Sequence, residues 1–270
     1  MKNIGIYSYF GYALSFDERL NTIKNAGFGV TSVGLGEEEE LVKSKEEDLM
    51  PEMVRSKGLF IEYAHAPDGR CNDLWSESEQ RRREIKKEYS SYIGYCKRHR
   101  LPMLVMHVSR SKGDQPLPPG RHGLEVLECL LKYAEDSNVR IAIENTQKPE
   151  YLDYIFSSIN SVYLGMCYDS SHDFLYSPQP GLLLKQWGHL LFATHISDND
   201  GLLDRHWLPR EGIIRWDIVK NNFPLETYGG FLTLEIFPKD PGDESAPDFL
   251  KRAHDRIKWF EEMLIKKAES

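Results

Sequence analysis

The sequence predicts an α/β protein that folds as a single closed (β/α)8 barrel, and three observations support this. The chain has 270 residues, a length that a barrel of this kind fills with one core. Short β-rich runs alternate with longer amphipathic segments about eight times. No Pro-, Gly- or Ser-rich linker interrupts the alternation. Residues 1–270 are therefore expected to form one domain.

The predicted strands are nearly continuous in hydrophobicity rather than alternating, which is typical of parallel strands covered on both faces. They are residues 3–9, 30–35, 59–65, 102–108, 139–145, 162–169, 190–197 and 230–237.

Apolar residues at helical spacing predict amphipathic helices between the strands. The clearest are residues 16–27, 78–99, 123–136 and 247–268. A doubly wound open sheet is the alternative architecture. That fold normally carries a Gly-rich phosphate loop after an early strand, and neither GxGxxG nor GxxxxGK[ST] occurs in the chain.

Composition narrows the range of partners. There are 34 Lys and Arg against 42 Asp and Glu, a net charge of −8. Nucleic acid is therefore disfavoured as a partner, because phosphate neutralisation normally requires a basic footprint. No apolar run approaches the ~18 residues of a membrane span. The four cysteines are widely spaced without a CxxC pair, which predicts reduced thiols and a cytoplasmic location.

Side chains of metal-ligand type recur at the predicted carboxyl ends of six consecutive strands. In a barrel these ends form one rim, where active sites are found. Five of the nine histidines and four carboxylates fall there. The nine residues are His65, His107, Glu144, Asp169, His172, His195, Asp204, His206 and Glu235.

A metal site is the simplest explanation of this group. A single histidine at a strand end is more often a hydrogen-bonded structural residue. Four carboxylates at one rim repel each other, however, and the sequence places no lysine directly beside them. One or more divalent cations are the simplest compensating charge, and Mn²⁺, Zn²⁺, Co²⁺ and Mg²⁺ all suit such ligands.

Four side chains in the rim loops are candidate substrate-binding residues. Tyr7, Trp75 and Trp207 are expected to supply apolar walls, and Arg205 to hold a phosphate or carboxylate. Ordinary rim packing and a solvated surface charge are the competing interpretations. The acidic run at 37–48 is interpreted as a solvated loop or helix face.

The motifs HAP, VMH, IEN, YDSSH, THISDNDG, DRH and LEI occur in that order. They resemble the xylose isomerase-like TIM barrels (AP endonuclease family 2), which include sugar and sugar phosphate isomerases and epimerases, inosose-metabolising enzymes and endonuclease IV. The resemblance implies one divalent metal ion, with the two glutamates of its ligand set also acting as an acid/base pair. The ligands so implied are Glu144, Asp169, His195 and Glu235.

In endonuclease IV further residues join these four and together hold three zinc ions. The residues that match them here are His65, His107, His172, Asp204 and His206. One departure concerns the substrate. Ketose 3-epimerases of the D-tagatose type place an Arg six residues after the metal-binding His, and Gly201 stands at that position.

We expect a metal-dependent isomerase or epimerase that acts on a small sugar, inosose or sugar phosphate through an enediolate. Glu144 and Glu235 would act from opposite sides of the substrate, and His172 would orient a hydroxyl. A small carbohydrate is then the partner, and assembly into a homo-oligomer stays open.

The alternative is an endonuclease IV-type phosphodiesterase with a three-zinc cluster. The acidic balance and the EEEE of the second rim loop weigh against binding DNA. A barrel that binds metal or sugar without turnover is a third alternative. It is disfavoured because no ligand or acid/base carboxylate is missing.

Overall fold

The computed structural model describes residues 4–111 and 115–268, and eight parallel strands form its centre. From β1 to β7 each strand pairs with the next along the chain, β1 also pairs with β8, and an isolated parallel bridge between Ile196 and Leu234 joins the ends of β7 and β8, as expected for the (β/α)8 barrel. All eight predicted strands are present, each shorter than its predicted run. Their bounds are β1 Ile4–Ile6, β2 Val30–Gly34, β3 Phe60–His65, β4 Met103–Met106, β5 Arg140–Glu144, β6 Leu164–Asp169, β7 Leu191–His195 and β8 Leu232–Leu234.

The seam between β7 and β8 closes the barrel with few backbone hydrogen bonds. The Ile196 N–H donates to the Thr233 carbonyl at 2.9 Å. One step earlier, the Thr194 hydroxyl oxygen accepts from the Thr233 N–H at 3.0 Å and donates to the Phe231 carbonyl at 3.3 Å. A threonine side chain therefore does part of the pairing that backbone groups do elsewhere in the barrel.

The helices pack around the outside of the strands, and the four clearest sequence predictions are confirmed as α1, α4, α5 and α10. A capping box of Ser15 and Glu18 starts the first of them. The helices are α1 Phe16–Asn25, α2 Glu39–Ser44, α3 Met50–Ser56, α4 Glu79–His99, α5 Arg121–Asp136, α6 Glu150–Ser158, α7 Ser170–Tyr176, α8 Leu182–Trp187, α9 Trp216–Asn222 and α10 Ala246–Ala268. Three 3-10 turns occupy Glu47–Leu49, Cys71–Trp75 and Gly188–Leu190.

An irregularity in β3 changes which side chains enter the barrel. Thr31 pairs with Ile61, but Val33 pairs with Ala64, so β3 contains one extra residue at this point. Such a bulge breaks the strict in–out alternation. Glu62 and Tyr63 consequently both face the barrel interior, where Glu62 accepts a hydrogen bond from Thr233 on β8.

Two apolar cores hold the mouth of the barrel in place. A large core fills the space between strands and helices. A small one fills the barrel interior below the strand ends, with Tyr63, Val105, Ala142, Cys167 and Ala193 among its members. The four cysteines are free thiols. In the described part of the chain, none of the helices has the length and apolar character that crossing a bilayer requires.

Candidate metal centre

The nine residues of metal-ligand type lie together at the mouth of the barrel. His65, Glu144, Asp169 and His195 are the last residues of their strands, and Glu235 directly follows β8. In a parallel barrel all these ends meet at one rim. Three adjoining groups of side chains result, and they are described in turn.

The central group is formed by Glu144, Asp169, His195 and Glu235. One ligand atom from each lies within 4.8 Å of those of the other three. His195 Nδ1 lies 3.1 Å from Glu144 Oε2 and 2.8 Å from Glu235 Oε2. These are ion-pair distances, but among the described residues neither His195 Nδ1 nor the buried Asp169 Oδ2 makes a hydrogen bond of normal geometry. Buried polar atoms normally have one, so one nitrogen and three carboxylates facing one point fit a divalent cation.

A second group adjoins the first through Glu144. Nε2 of His65 and Nε2 of His107 each lie 3.1 Å from Glu144 Oε2. One ligand atom each from His65, Glu144 and His195 also lies within 4.8 Å of the other two.

A third group surrounds Asp204, on the loop after β7. Its Oδ2 lies 2.9 Å from His172 Nε2 and 3.1 Å from His206 Nε2. The five additional residues that the resemblance offers therefore lie beside the central four.

Histidines supply the positive charge that faces the two glutamates. Burial by itself raises the pKa of Glu144 and Glu235. The charges of His195 and His107 outweigh it at Glu144 and hold its pKa well below the usual value. His195 and His206 lower the pKa of Glu235 to about 2. Both carboxyls are thus ionised at neutral pH.

The neighbouring Asp169 and His206 both have raised pKa values. Burial, together with the charges of Asp204 and Glu144, raises the pKa of Asp169 to about 7. Burial would lower the pKa of His206, but Glu235 and Asp204 raise it to about 9. Protons and a metal ion therefore compete for the same atoms. Histidines therefore supply part of the compensating charge that the sequence pattern predicts as bound cations alone.

Two residues behind the candidate metal ligands hold them in position. The Tyr63 hydroxyl lies 2.8 Å from His195 Nε2 and leaves Nδ1 facing the carboxylates. The Asn145 side chain bonds both the N–H and the carbonyl of Asp169, at 2.7 and 2.9 Å. Neither residue was among the predicted site residues. Tyr63 stands two positions before His65, a spacing that places both on one face of a strand.

Three of the four predicted substrate-binding residues lie at or near the mouth. Tyr7 is buried, with its ring edge-to-face to those of His65 and His195 at 6.0 and 6.4 Å. Trp207 is half-buried under Lys239, whose Nζ lies 4.0 Å from the ring centroid. Arg205 is exposed and paired with Asp200 at 2.8 Å.

The structure does not bring Trp75 to the mouth. Its indole N–H donates to the Val108 carbonyl at 2.6 Å, and its ring packs against Tyr151 with 5.1 Å between ring centroids. The Trp75 indole instead fills a space on the surface of α5, at Gly123. A Cβ on Gly123 would lie 2.2 Å from Trp75 Cε3, so the absence of a side chain there accommodates the indole.

An aromatic wall that the sequence analysis missed lines the mouth near β1 and β8. The Phe237 ring lies 5.0 Å from that of His206 and 5.7 Å from that of Tyr9, between centroids. Tyr9 is exposed. An exposed ring beside polar groups suits the apolar face of a sugar.

The acidic run after β2 does not behave as one solvated face. Glu39 fits that interpretation, because it is exposed and pairs with Lys43 within α2. Glu38, by contrast, pairs with the buried Arg19. Glu37 Oε1 accepts a hydrogen bond from the Tyr7 hydroxyl at 2.8 Å. Crowding at the mouth raises the pKa of Glu37 by desolvation, although the residue keeps an exposed side.

Fold and site together define a TIM barrel with a candidate metal centre at the carboxyl ends of its strands. The family model described as xylose isomerase-like TIM barrel matches residues 21–253. The chain therefore belongs to the xylose isomerase-like TIM barrel family.

Solved structures with a similar fold include several sugar epimerases. An L-ribulose 3-epimerase has a TM-score of 0.79 at 15% identity, covering 100% of this chain and 97% of that one. D-psicose 3-epimerase from Clostridium cellulolyticum H10, solved with D-tagatose, has 0.77 at 14%, covering 98% and 99%. The IolI protein, solved with a zinc atom, has 0.76 at 18%, covering 98% and 99%. At these identities the likeness shows the fold.

A relative from Sinorhizobium fredii has a higher sequence identity than these structures, but it is itself uncharacterized. It is the uncharacterized protein y4fM, 35% identical over 135 residues. The match spans 48% of this chain and 43% of the relative, less than half of either.

Proposed function

We propose that the protein is a divalent-metal-dependent isomerase or epimerase of a small sugar, inosose or sugar phosphate. The observation that carries the proposal is the central group of four, in which two buried ligand atoms, His195 Nδ1 and Asp169 Oδ2, make no hydrogen bond of normal geometry. The sugar epimerases that share the fold support the same class of reaction.

Residues of the central group would both bind the metal ion and transfer the proton. Glu144, Asp169, His195 and Glu235 would hold the ion, which when bound stabilises negative charge on substrate oxygens as a proton leaves the adjacent carbon. Glu144 ends β5, and Glu235 directly follows β8. Because both are ionised at neutral pH, either can accept a proton from a substrate carbon and return it.

Residues around the central group would bind and orient the substrate. His172 Nδ1 lies 2.8 Å from the Asn145 carbonyl and 3.2 Å from Glu144 Oε1, and its Nε2 would orient a substrate hydroxyl in exchange for Asp204. Tyr9 and Phe237 would cover an apolar face of the sugar and exclude water from the reacting carbon.

Solvent-deuterium exchange tests this proposal. Protein loaded with Mn²⁺ or Zn²⁺ is incubated in D₂O with ketoses, inososes and their phosphates, and carbon-bound deuterium is followed by NMR. We expect incorporation into at least one compound, and its loss in Glu144→Gln and Glu235→Gln. The surface variant Glu39→Gln serves as the matched control. Metal-loaded protein that labels none of the compounds would refute the proposal.

The group around Asp204 favours a second candidate function. His172 and His206 both approach Asp204 Oδ2, as ligands of a third ion would. A three-metal phosphodiesterase uses such a cluster to clamp a phosphate and activate water. Three ions per chain together with incision of an abasic-site duplex would establish this alternative. One ion per chain and sugar exchange would establish the isomerase.

A further inference from the structure

One side of the mouth contributes no residue to the candidate metal centre. The nine residues described above come from β3 to β8 and the loops that follow them. The β1–β2 side carries Tyr7, just after β1, and Glu37, in the loop after β2. In the closed barrel this side lies across from β5 and β6, whose last residues are Glu144 and Asp169.

The Tyr7–Glu37 pair is held in place by its surroundings. A Cβ on Gly34 would lie 2.0 Å from Glu37 Oε2 and 2.4 Å from the Tyr7 hydroxyl, so the pair lies directly over a residue without a side chain. The adjacent Glu38 is anchored by Arg19. Arg19 also donates to the carbonyls of two residues in the loop after β1, namely Ser8 at 3.0 Å and Leu14 at 2.7 Å. One buried guanidinium thus joins the two loops that carry the pair.

The pair offers only hydrogen-bond acceptors to a ligand. A tyrosine hydroxyl has one proton, and Tyr7 donates it to Glu37 Oε1. Its oxygen can then only accept. Glu37 Oε2 is a carboxylate oxygen and also accepts. Glu37 keeps an exposed side, so a ligand can reach it.

We propose that Tyr7 and Glu37 form a hydroxyl-binding subsite, which selects substrates that carry a free hydroxyl, and not a phosphate, at the end that faces the β1–β2 side of the mouth. The inference rests on the proposed isomerase or epimerase function for the identity of the ligand. A hydroxyl donates to the pair, whereas a phosphate brings oxygens and negative charge against an acceptor-only carboxylate and is repelled. The substrate class is therefore a sugar without a phosphate at that end.

A matched pair of variants from one acidic run tests the proposal. Glu37→Gln removes the negative charge of the subsite. Glu39→Gln removes a negative charge from the exposed face of α2 and serves as the control. Deuterium exchange is measured at pH 8 with metal-loaded protein on D-fructose and D-tagatose and on their 6-phosphates. We expect the wild type to favour the free sugars in kcat/KM, and Glu37→Gln to reduce that preference about tenfold through KM. Glu39→Gln should match the wild type.

A second measurement separates failure of the subsite from failure of the proposed function. Calorimetric titration of metal-loaded protein with inorganic phosphate needs no turnover. Glu37→Gln should bind phosphate about tenfold more tightly than the wild type and Glu39→Gln should not. If no sugar exchanges, the proposed function fails and the phosphate titration alone decides the inference. A wild type that prefers the 6-phosphates, or a phosphate affinity unchanged in Glu37→Gln, would overturn the subsite.

Discussion

At the scale of single residues, His195 shows how partners assign a role to a side chain. Its Nε2 faces the Tyr63 hydroxyl and its Nδ1 faces two carboxylates. His254, on α10, instead packs edge-to-face on Phe28 at 5.4 Å, and burial lowers its pKa. The two histidines are chemically identical in the sequence. Only the groups around them make one a candidate ligand and the other a packing residue.

The Tyr63 hydroxyl should strengthen metal binding without touching the metal. Removing it in Tyr63→Phe leaves His195 Nε2 without its partner and frees the imidazole ring to turn. Losing such an orienting contact typically weakens metal affinity about tenfold or more. Competition with a chromophoric chelator measures the affinity. Tyr151→Phe, whose hydroxyl bonds the Leu117 carbonyl instead, is the control. Equal metal affinity in Tyr63→Phe and the wild type would contradict this prediction.

Glu62 should make the stability of the protein depend on pH. Burial raises its pKa to about 7, so the folded chain retains a proton that the unfolded chain releases near its ordinary value of 4.5. The contribution of Glu62 to the free energy of unfolding is therefore fully present below about pH 4.5. It falls as pH rises through 7, by about 3 kcal/mol in total.

The variant Glu62→Gln should flatten this dependence, whereas the exposed Glu262→Gln should not. Urea unfolding at pH 5.5 and pH 8 gives the difference in the free energy of unfolding for each protein. A slope that persists in Glu62→Gln would assign the pH dependence to other groups.

At the scale of secondary-structure elements, two helical glycines should respond oppositely to alanine. In α5, a Cβ on Gly123 would lie 2.2 Å from the buried Trp75 ring. Gly123→Ala should therefore lose about 1–3 kcal/mol through overpacking. In α4, the nearest atom to a Cβ on Gly94 is the Tyr133 hydroxyl at 3.4 Å. Gly94→Ala should gain about 0.5–1 kcal/mol from helix propensity. Urea midpoints measure both, and a shared sign would be inconsistent with this packing.

At the scale of the whole molecule, barrel closure should depend on the Thr194 hydroxyl. Thr194→Val keeps the shape but leaves the buried Thr233 N–H without its acceptor. An unsatisfied buried group of this kind costs about 1–3 kcal/mol. Unfolding curves together with hydrogen exchange at the Thr233 amide test this, and the exposed Thr227→Val is the control. Wild-type protection of the Thr233 amide would show that the seam closes without the hydroxyl.

A bound ion should also stabilise the entire barrel, because the central group joins β5, β6, β7 and the end of β8. At a concentration of 100 times Kd, a ligand specific for the folded state adds about 2.7 kcal/mol. Calorimetry should show Tm rising when chelator-treated protein receives Zn²⁺ or Mn²⁺. Asp169→Asn should remove most of that rise. Metal-independent thermal unfolding of the wild type would count against the centre.

The local pattern of the chain was enough to predict the barrel and the rim at which the candidate metal ligands meet. Eight apolar runs predict eight strands, and residues that end parallel strands must share one edge. That rule predicts from the sequence alone that Glu144, Asp169, His195 and Glu235 share one mouth. It depends only on spacing within each strand and its loop.

Contacts between distant segments decided the rest. Glu37, Glu38 and Glu39 are identical neighbours in the sequence, yet one bonds Tyr7, one pairs with Arg19 and one stays on the surface. Trp75 lies away from the mouth because Gly123, which has no side chain, leaves room for its indole against α5. Such outcomes depend on which strands and helices become neighbours when the barrel closes. Side-chain partners 19 or more residues apart belong to that closure, and no local periodicity encodes them.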